Sequence, residues 1–183
     1  MEKKELEKWR EAGRITAKVL DYARNIIEPG MPLLEIIEKL EKFVERKNSK
    51  LAFPINLSID EVAAHSTPSF DDKTIARGLI KVDIGINVDG YISDGAFSLD
   101  LTREGKHMKL IEATEKALEE AINIIKPKIP LEEIGKKIQE TVSCFGFSPI
   151  VNLCGHELKR WKLHSGVTVP NHKNGDKRKI EEG

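Results

Sequence analysis

The feature that most constrains the fold is a pair of alternating apolar runs within residues 80–101. The runs KVDIGINV and YISDGAFSLDL meet at Asp89-Gly90, a dipeptide typical of two-residue hairpin turns. Apolar side chains at every second position predict strands that bury one face. The segment therefore predicts an antiparallel β-hairpin.

Segments on both sides of this hairpin have helical periodicity. Apolar residues recur every three or four positions in four stretches, which we expect to be helices. Pro29-Gly30 separates the first pair of helices, because this dipeptide breaks a helix. The predicted helices are residues 5–27, 33–44, 106–125 and 131–144; short extended segments are expected at 52–57, 150–153 and 167–169, and a polar loop at 63–72.

The sequence also contains an internal repeat. The segment IIEPGMPLLEI, residues 26–36, recurs as IIKPKIPLEEI at 124–134, and each copy is followed by a short segment with Pro, Ile, Asn and Leu in the same order. We expect two similar α+β halves related by a pseudo-twofold axis, with a site between them. Chance similarity of two amphipathic helix pairs remains the alternative.

Composition and charge exclude several classes of protein. Lys+Arg and Asp+Glu number 30 each, so the net charge indicates no nucleic-acid partner. No apolar run approaches the roughly 20 residues of a membrane helix, and the charged start is unlike a secretion signal. Cys144 and Cys154 lack zinc-site spacing and are expected to be free, buried thiols. We therefore expect a single domain, residues 1–183, in the cytoplasm.

Two aspartates of the hairpin are the strongest candidates for chemistry. Asp83 lies among valines and isoleucines, where an ionised carboxylate is costly unless it is paired or bound to a metal. Asp94 follows across the turn on the return strand. Neighbouring strands bring cross-strand residues within about 5 Å, so both carboxylates could bind one cation. Asp94 as a mere turn or bulge residue beside Gly95 remains the alternative.

Three histidines in loops rich in small residues could complete such a centre. His156 follows Cys154-Gly155, and imidazole suits a transition metal. His65 and His164 also lie beside alanine, serine or glycine. Each histidine alone is more typical of an ordinary core or surface position. Together with the aspartate pair they predict metal-assisted hydrolysis, and the sequence has no nucleophile elbow, P-loop or HExxH helix.

Five segments of the chain resemble methionine aminopeptidases of the type 2, archaeal-like kind, in peptidase family M24. They are residues 82–94 (VDIGINVDGYISD), 152–156 (NLCGH), 52–58 (AFPINLS), 63–68 (AAHSTP) and 163–166 (LHSG). The resemblance extends over essentially the whole chain. It implies the α+β "pita-bread" fold with pseudo-twofold halves.

The resemblance also implies an activity and a set of functional residues. The expected activity is hydrolysis of the first peptide bond, which removes the N-terminal methionine from nascent proteins. Metal ligands would be Asp83, Asp94 and His156, and the cofactor two divalent ions of cobalt, manganese, iron or zinc. His65 and His164 would be catalytic residues that contact the substrate. Phe53 and Leu163 would line the methionine pocket. We expect a monomer, with the ribosome as a possible partner.

The chain departs from the family pattern at three points. The family's two glutamate ligands would lie beyond Gly183, so the chain looks truncated at the C-terminus and we expect the isolated fragment to be inactive. Gly95 stands where threonine or serine is usual, which removes a hydroxyl expected near the metal. Ser66 stands where tyrosine is common.

Two other functions remain open from the sequence. One is a non-catalytic scaffold of the proliferation-associated kind; because such relatives generally lose metal ligands, the retained Asp83, Asp94 and His156 argue against it. The other is a proline-specific peptidase of the same family. The segments 52–58 and 63–68 favour the methionine type.

Overall fold

The computed structural model describes residues 2–182 and consists of two compact units. The first unit extends to His107 and also includes Leu158–Leu163. The second comprises Met108–Glu157 and the segment from His164 onwards. The single catalytic domain expected for residues 1–183 stays a prediction.

Helices and strands follow the predicted order closely. The hairpin and all four helices are confirmed to within three residues at each end. The elements are α1 Lys3–Ile26, α2 Leu33–Glu45, β1 Lys50–Leu51, β2 Asn56–Ile59, β3 Leu79–Val88, β4 Tyr91–Asp100, α3 Met108–Ile124, α4 Leu131–Cys144, β5 Cys154–His156 and β6 Thr168–Pro170.

The first unit is a four-stranded antiparallel sheet covered by α1 and α2. β3 is the central strand, and β4 pairs with it along its whole length, from Leu79 opposite Asp100 to Val88 opposite Tyr91. The other edge of β3 is shared by β2 and β1. Residues 52–55, between these two short strands, leave the ladder, so the extended segment predicted for 52–57 is interrupted.

Alternation along β3 decides which face of the sheet is buried. The side chains of Ile80, Val82, Ile84 and Ile86 are fully buried and pack in one core with apolar residues of α1 and α2. Each buried isoleucine contributes about 1.5–3 kcal/mol relative to an exposed one. Asp83 lies between them in sequence and therefore points to the opposite face of the sheet.

The second unit contains α3, α4 and the β5–β6 pair. Its core includes Ala121, Ile129, Leu131 and Ile134, with Val169 and other apolar side chains packed against them. The strand predicted at 150–153 is wrong: β5 begins at Cys154 and pairs with β6. Three-residue strands are too short for an alternating pattern, which explains the shift.

The internal repeat reappears as the same local structure in each unit. Pro32 and Pro130 are the N-caps of α2 and α4, and each forms a β-bridge to a later segment. The turn before each helix has one left-handed residue, Gly30 with φ 86° and Lys128 with φ 71°. Both donate their backbone N–H to that later segment, at Ala76 and Ile180. The repeat is therefore a repeat of backbone geometry.

One local expectation is corrected: Cys144 and Cys154 are free but exposed, not buried. The charged segment before the C-terminus is hydrogen-bonded to the turn before α4 and to its first residue, because Leu131 donates its N–H to the carbonyl of Arg178 and Ile180 donates to that of Ile129. Within residues 2–182 the structure contains no helix long and apolar enough to cross a membrane.

Candidate metal and substrate site

The two hairpin aspartates lie on the same face of the sheet. Asp83 is directly opposite Ala96, and Asp94 is directly opposite Gly85. The two aspartates are therefore diagonal neighbours, not a direct pair, at a separation that side chains can bridge. Both are half-buried, and their carboxyl groups hydrogen-bond to each other. The cross-strand convergence predicted from sequence is present.

Burial and mutual repulsion make this carboxyl pair a proton-sharing site. Burial, followed by the neighbouring Asp94 carboxylate, raises the pKa of Asp83 from 3.8 to about 6. A hydrogen bond between two carboxyl groups requires one proton, so a cation that replaces this proton relieves both the repulsion and the burial cost. The pair fits the oxygen ligands that divalent metals use.

The Asp83 carboxyl group also has a hydrogen-bond partner on β2, Asn56, which is itself bonded to Thr67. Asn56 lies opposite Asp83 in the β2–β3 ladder, and its Nδ2 donates a hydrogen bond to Asp83 Oδ2 at 3.5 Å. The hydroxyl of Thr67 donates to Asn56 Oδ1 at 3.0 Å, which leaves the amide nitrogen for Asp83. Asn56 opposes the rise in the pKa of Asp83 through this bond.

His65 is on the loop that supplies Thr67. The loop is tied to β2, because Leu57 donates its N–H to the carbonyl of Ser66 at 2.7 Å. His65 itself has φ 61°, in the left-handed region that non-glycine residues seldom adopt. Its exposed ring is close enough to act electrostatically on Asp83, lowering that pKa. The first unit thus brings His65, Asp83 and Asp94 to one side of the sheet.

Gly95, in contrast, does not face the carboxylates. A Cβ built on Gly95 would lie 3.2 Å from Leu20 Cδ1 and 3.6 Å from Thr16 Cγ2, both on α1. The expectation that Gly95 removes a hydroxyl near the metal is therefore wrong. Successive residues of a strand point to opposite faces, so a side chain after Asp94 would pack against the helix.

The second unit brings His156 and His164 together. His156 ends β5, and its ring centroid is 4.2 Å from that of His164, with the planes tilted by 58°. The ring of His156 is half-buried and that of His164 is exposed. Their roles as metal ligand and catalytic residue stay predictions.

Glu157 and Ser165 each follow one of these histidines in the sequence. Hydrogen bonds between them close the loop of residues 157–165. The Ser165 hydroxyl lies 2.8 Å from Glu157 Oε2 and 2.9 Å from the Glu157 carbonyl oxygen, and its single proton is donated to one of the two. Ser165 also donates its N–H to the same carbonyl at 3.1 Å. Because each residue of this pair adjoins one histidine, the pair fixes the separation of the two rings.

The segment Leu158–Leu163 is packed with the first unit, at the turn of the hairpin. Trp161 donates its N–H to the carbonyl of Gly90 at 2.8 Å, and Arg160 Nε donates to that of Asp89 at 3.0 Å. A Cβ on Gly90 would lie only 2.4 Å from the Trp161 indole. Leu163, predicted in the methionine pocket, is half-buried at the end of this segment.

Within residues 2–182, no three His, Cys, Asp or Glu side chains form a metal-holding group. The aspartate pair lies in the first unit and the histidine pair in the second. Sequence reasoning missed the supporting residues Asn56, Glu157 and Ser165. Only Asn56 had a sequence signal, because it lies in the segment 52–58 that resembles methionine aminopeptidases.

Comparisons with known sequences show which proteins this chain resembles. The model of metallopeptidase family M24 matches residues 7–183. A methionine aminopeptidase of Pyrococcus abyssi is 41% identical over 182 residues, which are 98% of this chain and 61% of that protein. One of Methanothermus fervidus is 41% identical over 188 residues, covering 96% of this chain and 100% of that protein. The chain thus spans about three fifths of the length of the Pyrococcus relative.

Solved structures agree on the fold. A methionine aminopeptidase of Thermotoga maritima superposes with a TM-score of 0.89 and 28% identity, over 100% of this chain and 77% of that chain. A prolidase of Pyrococcus furiosus has a TM-score of 0.82 at 20% identity, over 100% of this chain and 54% of that chain. The α+β pita-bread fold predicted from the sequence is confirmed. The chain belongs to metallopeptidase family M24.

Proposed function

We propose that the protein containing this chain removes the N-terminal methionine from nascent polypeptides by metal-dependent hydrolysis of the first peptide bond. The observation that carries the proposal is the proton-sharing pair Asp83–Asp94. Nothing in a purely structural role requires two half-buried carboxyl groups in contact on the polar face of a hairpin. Likeness to methionine aminopeptidases over nearly all of this chain supports the substrate.

The carboxylates of Asp83 and Asp94, with the imidazole of His156, would hold divalent metal. We infer two ions, of cobalt, manganese, iron or zinc. A bound ion of this kind supplies Lewis-acid chemistry, lowering the pKa of water and polarising a carbonyl. Asn56 would keep the Asp83 carboxylate oriented through the 3.5 Å hydrogen bond.

We assign substrate binding to residues flanking these ligands. His65 would contact the scissile amide or the free amine, and His164 the substrate carbonyl. Phe53 and Leu163 would line an apolar slot for the methionine side chain, which selects by size and shape. We also propose that the enzyme is cytoplasmic and that the ribosome is its partner, because its substrates emerge during translation. We propose a monomer as its working form.

A substrate panel tests the proposal. The full-length product of the gene, loaded with Mn²⁺ or Co²⁺, is offered Met-Gly-Ser, Leu-Gly-Ser and Ala-Pro-Ser, and the released amino acids are quantified. Release of methionine at least about 100-fold faster than leucine is expected. Preferential cleavage of Ala-Pro-Ser would instead assign a proline-specific peptidase. Absence of all cleavage with both metals would favour a non-catalytic scaffold.

A further inference from the structure

A glycine of the central strand lies between the carboxylate pair and a predicted pocket residue. Gly85 is two residues after Asp83, on the same face of β3, and directly opposite Asp94. Its own carbonyl accepts a hydrogen bond from the N–H of Ala52 at 2.8 Å. Gly85 is buried, although its face of the sheet is the polar one that bears Asp83.

The ring of Phe53 covers Gly85. A Cβ built on Gly85 would lie 2.2 Å from Phe53 Cε1, 2.8 Å from Cδ1 and 3.0 Å from Cζ. Carbon atoms pack at about 3.5–4.0 Å, so an alanine would require the ring to move by about 1.3 Å or more. Phe53 lies in the stretch between β1 and β2 that belongs to neither strand. This local break lets its ring approach Gly85.

Backbone conformation gives no other reason for glycine at this position. Gly85 is in the middle of a ten-residue strand, and it is not among the residues with positive φ. Glycine in a strand interior is unfavourable by itself, so the close approach of the ring is the physical account of this residue.

We propose that Gly85 is a positioning residue for the substrate pocket: its missing side chain lets the ring of Phe53 approach β3 at the position directly opposite Asp94. The ring then forms an apolar wall two residues along β3 from Asp83. This inference rests on the proposed function and deepens it: the absence of a side chain at Gly85 would determine where the Phe53 wall of the methionine slot lies. Gly85 acts through Phe53 and does not itself touch the reacting atoms.

A double-mutant cycle in the metal-loaded full-length protein tests the proposal. For Met-Gly-Ser we expect Gly85→Ala to raise KM about tenfold or more, the scale of one misfitted methylene in an apolar pocket, with kcat changed by less than threefold. In the Phe53→Ala background, which removes the crowded ring atoms, adding Gly85→Ala should change KM by less than about twofold. Equal effects of Gly85→Ala in both backgrounds would overturn the proposal.

Gly95→Ala is the matched control. It adds the same methyl group to the same hairpin, but toward Leu20 of α1. We expect a lower melting temperature with KM within about twofold of wild type. A rise in KM as large as that of Gly85→Ala would show that any methyl group in the hairpin disturbs the pocket, and would contradict the assignment.

Melting temperatures separate this inference from the proposed function. If the wild-type protein releases no methionine, the proposed function fails, while the contact between Gly85 and Phe53 is still measured by unfolding. Gly85→Ala should then lower the melting temperature in the wild-type background and not in the Phe53→Ala background. If Gly85→Ala alone fails to fold, recovery of folding in the double variant supports the inference, and failure of both variants refutes it.

Discussion

Replacing Asp94 by asparagine should stabilise the metal-free protein and abolish its stabilisation by metal. The rise in the pKa of Asp83 from 3.8 to about 6 corresponds to a cost of about 3 kcal/mol at neutral pH, at 1.36 kcal/mol per unit. Solvent screening of this half-buried group makes that figure an upper limit. Burial is the larger cause and Asp94 the second, so Asp94→Asn should recover about 1 kcal/mol.

The sign of the pH dependence follows from the same shift. A carboxyl group with a raised pKa in the folded state binds its proton more tightly there than in the unfolded chain. The contribution of Asp83 to the free energy of unfolding of the metal-free protein should therefore fall as pH rises from about 4 to about 6, and stay at the lower value above that. In Asp94→Asn this fall should be smaller, because only the burial of Asp83 remains.

Urea unfolding in EDTA and in Mn²⁺ measures both effects. Metal at 100 times its dissociation constant adds about 2.7 kcal/mol to the free energy of unfolding, which the wild type should show and Asp94→Asn should lack. Asp83→Ala serves as the comparison that removes the other carboxylate. An Asp94→Asn protein that is less stable than wild type in EDTA at pH 7.5, or that retains the full effect of Mn²⁺, would refute this reasoning.

Three further predictions concern backbone geometry and the histidine loop. Gly90→Ala should destabilise the protein by about 1–3 kcal/mol more than Gly30→Ala in thermal unfolding. Both glycines have positive φ, but only at Gly90 would the added methyl group clash with the Trp161 indole; equal losses would contradict this contact. Lys128→Gly should raise the free energy of unfolding by up to about 1 kcal/mol, since glycine adopts the left-handed conformation of Lys128 without steric cost. A loss of stability would contradict the left-handed turn that the repeat places before α4. Ser165→Ala should lower kcat for Met-Gly-Ser about tenfold, while Ser165→Thr should retain most of the activity. An unchanged kcat in the alanine variant would show that the hydrogen bond between Ser165 and Glu157 does not position the histidines.

The sequence predicts the hairpin and the helices well, because their signals are local and periodic. Alternation over ten residues identifies β3 and β4, and helical spacing places the start of α4 at Leu131. Pairings between distant segments are harder to predict. The bridge between Pro130 and Lys179 depends on tertiary folding, so the charged C-terminal residues carry no sequence signal for it.

The face on which each side chain lies limited the prediction of the site. Asp83 and Asp94 were predicted to converge, and their carboxyl groups do hydrogen-bond to each other. The error at Gly95 came from ignoring alternation after Asp94, a rule that the sequence itself supplies. The role of Gly85 had no sequence signal, because the crowding by Phe53 exists only once β1 and β3 pair.

One comparison tests the central claim, that Asp83 and Asp94 form part of the metal centre of a methionine-releasing enzyme. The EDTA-stripped full-length protein and its Asp83→Asn variant are each supplied with Mn²⁺, and methionine release from Met-Gly-Ser is measured alongside circular dichroism to verify folding. We expect metal to restore release in the wild type, with at least about 1,000-fold less in the folded variant. Release by the variant within tenfold of the wild-type rate would contradict the account.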